Sequence, residues 1–215
     1  MKRNIKEEIV EIGKRLYNAK LNGGYGGNFS VRDEDFIYIT PSGLPKDKLD
    51  YTDIVVIDFK GNLVEGQGKP SSEILFHILI YKKRGDVNAI IHAHPAFATG
   101  FSIAQTPIED GIHEESCIVL GKVPVIPYEV TSSKELAEKV SDVITNHDAA
   151  LLANHGAIAV GEDLERAFRK IEELELLCKM ITVATIMGGV KKISEEKLAL
   201  LRETMIKRAK RNDKA

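Results

Sequence analysis

Histidines close two apolar runs of this 215-residue chain: His92 and His94 follow "NAII", and His155 follows "AALLAN". Along a strand, side chains at i and i+2 face the same way. His92 and His94 therefore direct both imidazoles to one side, and Pro95 ends the ladder just beyond them. His155, set between Asn154 and Gly156, repeats the arrangement at the end of another strand-like run. Three neutral imidazoles brought together would hold a divalent transition metal and leave room for another ligand and for substrate. Each histidine alone reads as a hydrogen-bonded structural residue. The pairing of HxH at one strand end with NHG at another carries the metal reading.

The other histidines rank lower. His77 lies four residues after Glu73 and shares its helical face, which fits a core histidine or one standing behind a ligand. His147 closes a helix, where a cation suits the dipole. Around them lie three donor-rich turns. "KPSSE" at 69–73 offers Ser71 and Ser72, with helix-start N–H groups, to an anion, although an ordinary serine N-cap explains it equally well. "GGN" at 26–28 and "TPSG" at 40–43 are small turns of the kind that cradle phosphate. Each alone is a plain turn; three beside a candidate metal site point to a phosphorylated small substrate.

These residues need a scaffold. A helix is expected over 4–21, broken by "NGGYGGN". Strands follow at 29–31, 36–40, 54–58 and 63–65. A helix capped by Ser71 or Ser72 runs to Gly85, then come a strand at 89–92, a short helix from Pro95 and a loop through "TPIEDGIHEES". Next are a strand at 123–126, a helix from Ser132 or Ser133 to about 146, the strands "AALLA" and "IAVG", and helices at 163–187 and 194–210. The mixture predicts an α/β or α+β sandwich around a mostly antiparallel sheet. With 43% hydrophobic residues and no linker-like stretch, residues 1–215 read as a single domain with an ample core. A formal charge of −2, from 30 basic and 32 acidic residues, gives no reason to expect nucleic acid. The basic end "KRAKRNDKA" reads as a solvated tail. Cys117 and Cys178 suggest no disulfide framework, the charged N-terminus no signal peptide, and no apolar run a membrane helix. The expected setting is the cytoplasm.

"GGN-S", "ITPSG", "GKPSSE", "HAHP" and "NHG", in this order and at these separations, resemble the class II aldolase/adducin-head family over roughly residues 5–185. The resemblance implies a three-layer αβα sandwich around a mostly antiparallel sheet. It also implies a homotetramer with active sites at subunit contacts, and one zinc ion per subunit. It assigns the zinc ligands to His92, His94, His155 and Glu73, with Glu73 also the acid/base. Phosphate binding falls to Gly27, Asn28, Ser42, Gly43, Ser71 and Ser72, while Tyr25 departs from the small hydroxyl residue expected there. The implied activity is zinc-dependent, reversible cleavage of a ketose 1-phosphate, such as L-fuculose 1-phosphate or a related deoxyketose phosphate, to dihydroxyacetone phosphate and an aldehyde. Family aldolases take a second proton donor, a tyrosine, from the neighbouring subunit's loop after the HxH strand. This loop has none, and His113, Glu114 and Glu115 are its candidates, with His113 and Glu115 preferred. A metal-dependent dehydratase is the runner-up, because "IHEE" at 112–115 resembles its catalytic loop. A 4-epimerase, which would carry aspartate in place of Glu73, ranks below. A non-enzymatic adducin-like module ranks last, since such heads are expected to have lost the metal ligands.

Overall fold

A computed structural model describes residues 4–212. Residues 1–3, at the charged N-terminus, and 213–215, at the end of the basic tail, lie outside them. The first helix, α1 (Ile5–Asn18), forms where apolar residues recur along one side and bury Ile9, Val10, Ile12 and Leu16. Past the glycine-rich break the chain builds the sheet from β1 (Asn28–Asp33), β2 (Phe36–Ile39), β3 (Val55–Asp58) and β4 (Leu63–Glu65). The helix α2 (Ile74–Lys83) leads to β5 (Ala89–Ala93), α3 (Ala96–Ile103) and α4 (Glu114–Val119). Then come β6 (Val125–Ile126), α5 (Lys134–Ile144), β7 (Ala149–Leu152), β8 (Gly156–Gly161), α6 (Leu164–Ile186) and α7 (Glu195–Asn212).

The eight strands lie in the order β4-β3-β2-β1-β5-β8-β7-β6. Every adjacent pair is antiparallel except β6 and β7. Alternation along β5 sends Ile91 to one face and Ile90 to the other. Ile91 joins a core with α1, α3 and α6; Ile90 joins a second core with α2 and α5. The architecture is the expected three-layer sandwich.

Three local expectations need correction. The strand over 123–126 shortens to Val125–Ile126, because Val123 is drawn into an isolated bridge with Ile108 and Pro124 has no N–H to donate. The end of the expected loop is the helix α4, whose Glu114 and Glu115 suit the positive end of the helix dipole. Neither Ser71 nor Ser72 caps α2. Glu73 stands at the N-cap position, and the Ser71 hydroxyl accepts from the Glu73 N–H at 3.3 Å.

The chain leaving His94 enters α3, whose N-cap Pro95 supplies no side-chain cap. The buried carboxylate of Glu175 on α6 takes that role, accepting from the Phe97 and Ala98 N–H groups at 2.9 Å each. Glu175→Ala would orphan two amide donors at a helix start, and is expected to cost about 2–3 kcal/mol of stability. Glu175→Gln, which keeps an acceptor, should cost less. Denaturant unfolding of the two variants checks the order.

Candidate metal centre

The sheet order brings the histidines together. β5 lies directly against β8, with His92 opposite Ile158 and Ala93 opposite Ala157, so the end of β5 meets the β7–β8 turn that carries His155. In that turn Asn154 adopts a positive φ of 57°, a conformation asparagine tolerates better than most residues. Gly156 is needed for a different reason. A Cβ there would stand 2.5 Å from His94 Cδ2 and 2.7 Å from the Ala93 carbonyl.

The three Nε2 atoms converge. His92 Nε2 lies 3.1 Å from His94 Nε2 and 3.3 Å from His155 Nε2. The Glu73 carboxylate closes the group, with Oε2 3.3 Å from His92 Nε2 and Oε1 3.8 Å from His155 Nε2. Four ligands bound tetrahedrally at about 2.0–2.1 Å would stand about 3.3–3.4 Å from one another, so this donor set fits one dication. Glu73 is only 6% exposed, and its Oε1 has no hydrogen-bond partner among the described residues. A buried carboxylate oxygen is not left bare without cost, and a cation is what would satisfy it.

The electrostatics agree. Burial first, then the neighbouring His155, pushes His92 down to about 3, against the opposing bond from its Nδ1 to the Ala157 carbonyl. Burial, then His92 and His155, pushes His94 down to about 3 as well. Both rings are therefore neutral at pH 7, the state a metal ligand requires. The Nδ1–H bond of His92 to Ala157 also fixes its tautomer, leaving Nε2 as the lone-pair atom.

The three donor-rich turns gather beside this centre. Ser42 N–H donates to the Lys69 carbonyl, Pro41 bridges to Pro70, and Ser71 N–H donates to the Thr40 carbonyl. Thr40 N–H donates in turn to Phe29, the residue after Asn28. Gly27, Asn28, Ser42, Gly43, Ser71 and Ser72 thus lie on adjoining segments. Gly27 holds φ 66° with its α-carbon packed on the His92 carbonyl, where a Cβ would come to 2.4 Å. Asn28 is turned inward: its Nδ2 donates to Glu73 Oε2 at 2.9 Å. Ser42 and Ser72 are exposed, and Tyr25 points largely to solvent at 73% exposure.

His113 and Glu115 are not brought to the centre of their own chain. His113 Nδ1 lies 3.1 Å from Ser116 Oγ and 3.5 Å from the buried Glu173 Oε1. Glu115 pairs with Arg169 at 2.9 Å. Both line a cleft with Leu201 and Met205 of α7. His147, as expected, is structural, with Nδ1 3.1 Å from the Val143 carbonyl.

Sequence reasoning missed two residues that shape the centre. Asn22 donates to the Gly26 carbonyl and accepts from the His94 N–H at 3.2 Å, so it ties the glycine-rich loop to the second histidine. Glu175 anchors the helix after that histidine. Neither has a local signal, since an asparagine before glycines reads as a turn and a glutamate on a helix reads as solvated.

The chain is similar to known proteins over most of its length. The model of the class II aldolase and adducin N-terminal domain matches residues 7–182. An L-fuculose phosphate aldolase of Methanococcus maripaludis is 37% identical over 173 residues, covering 80% of this chain and 93% of that protein. A 5-deoxy-D-ribulose 1-phosphate aldolase of Bacillus thuringiensis is 33% identical over 198 residues, covering 90% and 91%. A solved structure of an L-fuculose 1-phosphate aldolase superposes with a TM-score of 0.89 at 36% identity, covering 95% of this chain and 97% of that one. The histidine cluster thus sits in a chain that belongs to the class II aldolase and adducin N-terminal domain family.

Proposed function

We propose that this protein is a zinc-dependent aldolase that reversibly cleaves a ketose 1-phosphate, of the L-fuculose or 5-deoxyribulose type, to dihydroxyacetone phosphate and an aldehyde. The observation that carries the reading is the convergence of three imidazoles on a buried glutamate, one oxygen of which has no hydrogen-bond partner among the described residues. The names of both relatives, each an aldolase of a phosphorylated ketose, support the reaction and make the protein a lyase.

His92, His94, His155 and Glu73 would hold the ion, which when bound supplies Lewis-acid stabilisation of negative charge on substrate oxygens, worth several kcal/mol. The chain's own residues supply the rest. The phosphate rests among the backbone and hydroxyl donors of Gly27, Asn28, Ser42, Gly43, Ser71 and Ser72, which orient the sugar. Asn28 keeps one amide hydrogen for this beyond the one it gives Glu73. Cleavage breaks the carbon–carbon bond, leaving its electron pair on the ketone fragment, and the hydroxyl of the departing fragment loses its proton to become an aldehyde. His113 or Glu115 of a neighbouring subunit takes that proton. Glu73, which enters the cleavage direction carrying a proton drawn from solvent, delivers it to the carbon of the ketone fragment and is left as the carboxylate.

This division of labour needs an oligomer, which we propose is a homotetramer. The apolar side chains Phe97, Ile103, Ile186 and Met187, exposed on α3 and at the end of α6, support an interface. Among the described residues no helix is long and apolar enough to cross a membrane. We propose a cytoplasmic setting and no nucleic-acid partner.

A panel of ketose 1-phosphates with Zn²⁺ supplied tests the reading. Release of dihydroxyacetone phosphate is expected with at least one deoxyketose, at the about 1–10³ s⁻¹ ordinary for enzymes. Loss of water or inversion of a carbon in place of cleavage would make this a dehydratase or an epimerase.

A further inference from the structure

Behind Glu73 runs a row of buried polar side chains. Glu73, His77 and Tyr81 recur every four residues at the entry and along α2, so they share one face. Asn28 and Ser30 alternate on β1 and share the face opposite. The spacings match, about 6 Å per four helical residues and about 6.8 Å per two strand residues, and the side chains interleave. Asn28 Nδ2 donates to Glu73 Oε2 at 2.9 Å, and His77 Nε2 lies 2.6 Å from Asn28 Oδ1. Ser30 Oγ lies 2.7 Å from His77 Nδ1 and 2.8 Å from the Tyr81 hydroxyl. None of the five residues is more than 6% exposed.

One end of the row dictates every hydrogen in it. Asn28 turns its NH₂ to Glu73 Oε2 and its oxygen, which can only accept, to His77. His77 must then donate from Nε2, which leaves Nδ1 to accept from the Ser30 hydroxyl. Ser30 has spent its one hydrogen and accepts from Tyr81. Burial keeps His77 neutral and Tyr81 protonated, the states this order requires.

We propose that His77 is a positioning residue for Glu73: both carboxylate oxygens face the imidazole cluster, and by locking the Asn28 amide His77 commits Oε2 as an acceptor and leaves Oε1, which has no hydrogen-bond partner among the described residues, as the oxygen that carries the proton. The role in proton transfer rests on the acid/base reading of Glu73 given above. Without the His77 donor the Asn28 amide is free to turn, and the two carboxylate oxygens lose their distinction.

Two measurements test this. ¹⁵N NMR of the wild-type imidazoles is expected to show His77 neutral and protonated on Nε2; an Nδ1–H tautomer or an imidazolium overturns the lock. Deuterium uptake from D₂O into dihydroxyacetone phosphate alone requires Glu73 but neither the aldehyde nor the neighbour's residue. His77→Phe keeps a ring without a donor, and should slow uptake about 10–100-fold with KM within about threefold. His77→Gln restores a donor near the Nε2 position and should recover most of the rate. Uptake by His77→Phe at the wild-type rate, or equal losses in both variants tracking a lower Tm, overturns the proposal. Wild-type protein that takes up no deuterium while showing the Nε2–H tautomer refutes the aldolase reading and upholds the lock.

Discussion

Glu73→Gln is expected to lower kcat by about 10²–10⁴-fold, the range lost when a positioned acid/base is removed, while leaving the fold intact. The substitution preserves volume, but Asn28 decides how the new amide sits. Its Nδ2 donates at 2.9 Å to Oε2, so the amide oxygen takes that place and the NH₂ group falls where Oε1 faced the histidines. That NH₂ group, beside His155, can neither bind a cation nor accept a proton, the two tasks the proposed mechanism gives Oε1. Metal content per chain should fall with activity. The metal-free variant should melt no lower than the metal-free wild type, because a buried carboxylate with an unpaired oxygen has been replaced by a neutral group. Turnover, metal analysis and a melting curve together check this; near wild-type turnover would remove Glu73 from the chemistry.

Chelation should abolish turnover, and added Zn²⁺ should restore it without refolding, because the four donors are held by β5, the β7–β8 turn and the start of α2 rather than by the ion. Metal removal should also uncover a dependence of stability on pH. His92 and His94 are depressed to about 3 when folded, against about 6.5 in an unfolded chain. Between those values the unfolded state binds more protons, so stability is fully present above about pH 6.5 and drains away as the pH falls toward 3. The slope is at most about 1.4 kcal/mol per histidine per pH unit. In the metal-loaded protein the ion occupies the same lone pairs, and acid must first displace it. Loaded protein should therefore hold its stability to lower pH and then lose metal and structure together. Parallel denaturation curves at pH 7.5 and 5.5, with and without metal, measure the difference. Equal pH dependence in both forms would mean that these rings do not bind the ion.

Much of the site was legible in the chain because its signals are local. A two-residue step on a strand aligns His92 with His94, a four-residue step on a helix aligns Glu73 with His77, and five short motifs in order pointed to the family and to the four residues proposed as ligands. Local reading went astray where one residue overrode a pattern, as Pro124 did in shortening β6. What only the tertiary structure decided is which strands meet. The order β1-β5-β8 places Asn28 opposite His92 and sets His155, 63 residues away, 3.3 Å from it. That adjacency is chosen by the burial of whole strand faces against two helical layers, a sum over distant contacts to which no short window of sequence has access. The same packing of α2 on β1 turned two serviceable core residues, His77 and Ser30, into a buried hydrogen-bonded row that ends on the Glu73 carboxylate.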